Sequence, residues 1–162
     1  MVFKEWAPVH RELLVPDRLD RMTSAEFVRV MRRVHAANNY AKRQRPEDVF
    51  DEEELASDPA TEVKLEHYFA QLYYERNLLN WSPPQLLKHL LFGGPISEVP
   101  TRLYECLQSP HKIPGFDWST LGELVGWALP NDYPPRNDRT NKALRALGWN
   151  VKVRSPNRES AA

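Results

Sequence analysis

The stretch Ser82-Pro83-Pro84-Gln85-Leu86-Leu87-Lys88-His89-Leu90-Leu91-Phe92-Gly93-Gly94-Pro95 decides the fold. Ser82 with Gln85 three residues later is a capping box, and the two prolines fall in the first helical turn, where a missing N–H costs nothing. Leu86, Leu87, Leu90 and Leu91 then recur at the spacing of one buried helical face, until Gly93-Gly94-Pro95 stops the helix. Lys88 and His89 stand between the leucine pairs. At least one of them therefore leaves the core and is placed to reach a ligand.

The same grammar extends in both directions. Upstream, Thr23-Ser24-Ala25-Glu26 is a second capping box ahead of Phe27, Val30, Met31 and Val34, which predicts a helix over about 24–38 ended by Asn38-Asn39-Tyr40. Residues 40–58 read as a loop with a short helical turn around Asp51 to Leu55. Asp58-Pro59 then opens a long helix to about residue 79, carrying Val63, Leu65, Phe69, Leu72, Tyr73 and Arg76. An aromatic stripe at this spacing reads as core rather than as a surface for stacking bases. Downstream, Ser97 caps a helix with Val99, Leu103, Cys106 and Leu107 on one face and Arg102 on the other, ending at Ser109-Pro110. Leu121, Leu124, Val125 and Ala128 mark a further helix.

Strand signals are nearly absent, so the expected fold is all-α. It is one compact domain of about six to eight helices over residues 1–153, with its core at about 60–150. Residues 1–22 read as an arm packed on the domain. Trp149 to Val153 alternates like a short extended segment. Arg154 to Ala162 has small and polar residues without an apolar period, which reads as a disordered linker to a further C-terminal domain.

The chain has 162 residues, 41% of them apolar, enough for one proper core. Lys plus Arg and Asp plus Glu are 22 each, so net charge offers no pointer to nucleic acid, and distribution matters more. Arg29, Arg32, Arg33, Lys42, Arg43 and Arg45 lie in a segment without one acidic residue, followed by Glu47, Asp48, Asp51, Glu52, Glu53, Glu54 and Asp58 without one cation. These are either two solvated surfaces of opposite sign or, for the basic one, a set of phosphate contacts. The acidic run reads as a solvated helix cap rather than a metal site. The single Cys106 reads as a core residue in a reducing compartment, and no apolar run is long enough to span a bilayer. The expectation is a cytoplasmic protein. The five histidines are scattered, with no metal-ligand spacing and no phosphate loop, so no metal and no cofactor are expected.

Pro130 to Thr140 is stiff with prolines and Asn-Asp pairs, and Asn137 or Asp138 can cap a short helix ending at Gly148. It sets an apolar Tyr133-Pro134-Pro135 surface beside Arg136, Arg139 and Lys142 at a helix N-terminus. An apolar patch ringed by cations suits a large, weakly hydrated anion.

Ile113-Pro114-Gly115-Phe116 resembles a helix-hairpin-helix turn, although Asp117 stands where that motif has its second glycine, which favours a packed turn over a phosphate site. With Asp138-Arg139-Thr140 it is loosely similar to the helix-hairpin-helix DNA glycosylases, a resemblance that gives Asp138 a catalytic role. A plain protein-interaction domain is the other alternative.

The series from Lys88-His89-Leu90-Leu91 through Lys112-Ile113-Pro114-Gly115-Phe116 to Tyr133-Pro134-Pro135-Arg136-Asn137 and Ala143-Leu144-Arg145-Ala146-Leu147-Gly148 resembles the sulfur-binding domain of type IV, modification-dependent restriction endonucleases. The resemblance covers roughly residues 60–150 and implies a non-catalytic module that binds double-stranded, phosphorothioate-modified DNA, fused to an HNH-type nuclease. It implies a sulfur pocket of Tyr133, Pro134 and Asn137, the last standing where the family often has a smaller residue. It also implies DNA contacts from Lys88 or His89, Lys112, Arg136, Arg139 and Lys142. Arg32, Arg33, Lys42 and Arg43 are the further candidates for the phosphate backbone.

Overall fold

In the computed structural model, residues 10–133 and 138–150 are described, without the side chains of 138–140. Among these residues every regular element is helical. The α-helices are α1 (Pro16–Asp20), α2 (Ser24–Met31), α3 (His35–Arg43), α4 (Glu52–Ala56), α5 (Thr61–Tyr73), α6 (Pro83–Phe92), α7 (Val99–Cys106), α8 (Trp118–Ala128) and α9 (Asp138–Ala146). Two 3-10 turns, Pro46–Asp48 and Ile96–Glu98, join α3 to α4 and α6 to α7. The all-α expectation holds, with slightly more and shorter helices than the six to eight read from periodicity.

α8 is the pillar. Thr120 to Val125 and Gly126 are buried in succession, so this helix has no solvent face over two turns and must be wrapped by its neighbours. α3 and α7 pack on α8, α2 and α3 on α5, α1 on α6, and α6 on α7. The core runs through Phe27, Phe69, Phe116, Leu86, Leu90 and Leu121. Phe27 meets Phe116 edge-on at 6.3 Å and Tyr73 at 5.7 Å, ring arrangements that add to simple area burial.

Both capping boxes read from sequence are formed. The Thr23 hydroxyl accepts from the Glu26 amide at 3.2 Å while the Glu26 carboxylate accepts from the Thr23 amide at 3.0 Å, and Ser82 pairs with Gln85 in the same way. Asp51 and Glu54 form a third box at the start of α4, the helical turn expected there.

Four boundaries differ from the sequence expectation. The helix predicted over 24–38 is broken at Arg32-Arg33-Val34, and Asn38-Asn39-Tyr40 lie inside its second half. The Asn38 amide donates to the carbonyls of Met31, Arg32 and Val34, closing the end of α2. The Glu123 carboxylate accepts from the amides of His35 at 2.8 Å and Ala36 at 3.0 Å, opening α3. α5 starts at Thr61 rather than at Pro59, because Asp58 has φ 49° and cannot adopt the extended conformation of an N-cap. It ends at Tyr73, where Asn77 takes over: its side chain accepts from the amides of Leu79 and Trp81 and donates to the His111 carbonyl. Ser97 lies within a 3-10 turn and α7 begins at Val99, with Pro100 in its first turn.

α9 ends as expected. Gly148 at φ 91° donates to Arg145 and Trp149 donates to Leu144, the paired bonds of a Schellman closure. The extended segment Val151 to Val153, the tail 154–162 and residues 1–9 of the N-terminal arm fall outside the described residues; the rest of the arm is helical over 10–13 and 16–20 and buries Leu13, Leu14, Leu19 and Met22 in the core. No helix among the described residues is long and apolar enough to cross a membrane.

Candidate functional site

The leucine helix α6 delivers its C-terminal end, Gly93-Gly94-Pro95-Ile96, to the surface, and two distant residues meet it there. The Tyr133 hydroxyl donates to the Ile96 carbonyl at 2.6 Å, while its ring packs against the core. Arg102, on α7, reaches under the same loop. Its Nε donates to the Leu90 carbonyl and its Nη1 to the Pro95 carbonyl, each at 3.0 Å. A helix end leaves carbonyls without intrahelical partners, and a guanidinium fork is suited to collecting them.

The sequence placed Arg102 on the outer face of its helix. It is instead 5% exposed, and its Nη2 is buried with no hydrogen-bond partner among the described residues. Leaving such a donor unpaired costs about 1–3 kcal/mol, more for a charged group. Gly94 leaves room for this fork: a Cβ at that position would stand 2.9 Å from Nη1, so the guanidinium would have to shift. This end of α6 thus combines an anchored tyrosine, a close-packed glycine loop and an incompletely satisfied cation.

Of the two basic candidates on α6, Lys88 turns away from this end. Its Nζ donates to both carboxylate oxygens of Asp20 at 2.8 Å, tying α6 to the end of α1. His89 faces α7, with Nε2 3.3 Å from Glu105. Lys112 and Lys142 are exposed. Pro134, Arg136 and Asn137, and the side chains of Arg139 and Asp138, fall outside the described residues. Of the predicted pocket, only Tyr133 is therefore described.

The turn resembling a helix-hairpin-helix is closed to phosphate. Asp117 caps α8, its carboxylate accepting from the Thr120 amide at 2.7 Å, so the helix N-terminus already holds an anion.

The basic segment forms a separate surface. Arg29, Arg32 and Arg33 line a cleft of about 490 Å³ together with Ala25, Val28 and Glu66. Arg32 is engaged there by Glu62 and by Asn38. Arg33, Lys42, Arg43 and Arg45 are exposed. Among the described residues no ion pair joins this segment to the acidic run that follows it; Glu54 of that run lies 3.4 Å from His67. Cys106 is fully buried, and burial, followed by the nearby Glu105 carboxylate, pushes its thiol up to about 12. It is a core residue, as its apolar neighbours in sequence implied.

No protein-family model, no curated protein and no solved structure matches the chain.

Proposed function

We propose that the chain is a non-enzymatic recognition module that binds double-stranded DNA and reads phosphorothioate in its backbone, serving a nuclease fused to it. The observation that carries this reading is the meeting of Tyr133 with the end of the leucine helix, over Arg102. Two segments far apart in sequence, both part of the resemblance to sulfur-binding domains, lie against each other through the Tyr133–Ile96 hydrogen bond. Arg102 supplies beneath them a cation with unused donor capacity.

The chemistry follows from the difference between sulfur and oxygen. Replacing one non-bridging oxygen keeps the phosphate charge but gives a larger, more polarisable and less hydrated atom. A wall of tyrosine and proline carbons accepts that atom cheaply. Oxygen in the same place loses its water hydrogen bonds without gaining a donor, at about 1–3 kcal/mol, or about 5- to 150-fold in affinity. The exposed cations of the basic segment supply phosphate contacts that carry no sequence information.

The test is a gel shift with a duplex carrying a single phosphorothioate of defined stereochemistry and its unmodified twin. Preference for the modified duplex, reduced in Pro134→Ser while binding to the twin is maintained, is the expected result. Equal affinity for both duplexes sinks the reading. Strand breakage at an abasic site, abolished by Asp138→Asn, would replace it with the glycosylase reading. Replacing Arg33, Lys42 and Arg43 together by glutamine should weaken both duplexes alike and lower the slope of log K against log salt by about 2.7, at about 0.9 per phosphate contact.

A further inference from the structure

Scattered histidines gave no metal signature in the sequence, yet the fold gathers two of them. His89 on α6, Glu105 on α7 and His111 in the loop after α7 each offer a donor atom, and all three atoms lie within 4.8 Å of one another. His89 Nε2 and the Glu105 carboxylate are 3.3 Å apart. Two donors bound at about 2.0–2.1 Å to one tetrahedral zinc lie about 3.3–3.4 Å apart, so this pair already has the spacing of a shared ion.

The third donor is held in place from outside the cluster. The His111 carbonyl accepts from the Asn77 amide at 2.9 Å, and its own amide donates to Gln108 at 2.9 Å. Trp81 packs on both imidazoles, at 5.1 Å from His89 and 5.3 Å from His111, and the two imidazoles stack at 5.4 Å with only 15° between their planes. His89 and Glu105 are partly exposed, 25% and 44% at their side chains, so solvent reaches the cluster.

The other histidine–glutamate pair of the molecule is a useful contrast. His67 lies 3.4 Å from Glu54 and packs on the ring of Phe50, with no third donor gathered beside it among the described residues. That pair is an ordinary contact. We propose that His89, Glu105 and His111 form a binding site for zinc or a similar divalent transition ion, with the remaining position open to water or a ligand. Two imidazoles and one carboxylate are the donor set of an open zinc site, and they exclude the hard ions magnesium and calcium as preferred occupants. The site stands independently of the DNA reading, since it is tested without DNA.

Cobalt(II), a visible-absorbing stand-in for zinc, is titrated into the metal-free full chain and then displaced with zinc. The expected result is one equivalent with a four- or five-coordinate spectrum. Affinity should fall at least about tenfold in His89→Gln, Glu105→Gln and His111→Gln, and remain unchanged in His67→Gln. Binding should also weaken in acid, because protons compete with the metal for imidazole and carboxylate donors. A second measurement needs no variant: zinc should shift the ring-nitrogen resonances of His89 and His111 in the wild-type protein and leave those of His67 in place. Absence of binding at millimolar zinc, binding that survives His111→Gln in a folded protein, or shifts confined to other histidines would overturn the proposal.

Discussion

Among the described residues an acidic and a basic side chain, Glu123 and Arg102, are buried, and they are held differently. Glu123, inside α8, is 2% exposed and spends both oxygens on the amides that open α3. Arg102, on α7, is 5% exposed and spends Nε and Nη1 on carbonyls at the end of α6, while its Nη2 has no partner among the described residues. A buried charge is tolerated when its hydrogen-bonding capacity is filled. By that measure Glu123 completes the fold, whereas Arg102 retains capacity that a ligand can fill.

The comparison breaks most visibly at Glu123. Glu123→Ala should cost about 2–4 kcal/mol in urea denaturation, the sum of a lost cap and two amides left without an acceptor in the interior. Glu123→Gln, which keeps an acceptor oxygen, should cost less than half of that. Equal losses in the two variants would mean that the negative charge matters more than the hydrogen bonds.

Arg102 should behave in the opposite sense. In Arg102→Met a flexible apolar chain fills the same space and removes an unsatisfied donor, which offsets part of the loss of a donor at the Leu90 and Pro95 carbonyls, so stability should fall by about 1–2 kcal/mol, less than in Glu123→Ala. Affinity for the modified and the unmodified duplex alike should fall about tenfold, equal to about 1.4 kcal/mol. A variant that loses as much stability as Glu123→Ala while binding normally would make Arg102 purely structural.

A third buried group meets the same constraint by staying neutral. The Cys106 thiol, ordinarily at 9.0, is raised to about 12 by burial first and by Glu105 second, with Arg102 acting in the other direction. Because its folded value is the higher one, this contribution to stability is complete below pH 9 and is lost as pH rises from about 9 towards about 12. Native protein at pH 8 should therefore resist alkylation that proceeds rapidly in denaturant.

The smallest effect is expected at the surface. Lys88 and Asp20 are 41% and 50% exposed, and Asp20→Asn should change stability by about 1 kcal/mol or less. A larger loss would show that this pair, rather than the leucine face, docks α6 on α1.

What could be read from the sequence was what the chain decides locally. The boxes at Thr23 and Ser82, the leucine face of α6 and the glycine closure of α9 each depend on residues within one or two turns. The break between α2 and α3 depends on Glu123, far along the chain, and nothing in Arg32-Arg33-Val34 announces it. Arg102 was misplaced for a similar reason: a charge on an amphipathic helix is normally assigned to solvent, and only the abrupt end of α6 at Gly93-Gly94 hinted at carbonyls in need of a donor. His89 was singled out because it interrupts the leucines. Its partners Glu105 and His111 carried no such mark, since their proximity is a property of how α6 and α7 pack. Tyr133 was found through the stiffness of its loop, and its contact with Ile96 through the fold alone.

The complete enclosure of α8 has a consequence for how the molecule can be cut. The elbow at residues 32–34 is held by Glu123 from across the fold, so residues 24–43 and residues 118–128 are coupled and should not melt independently. Hydrogen exchange at the His35 and Ala36 amides should proceed at the rate of global opening, alongside the slowest amides of α8. A fragment ending before Trp118 should not retain a folded N-terminal half, and limited proteolysis of the native chain should leave that half and the pillar associated.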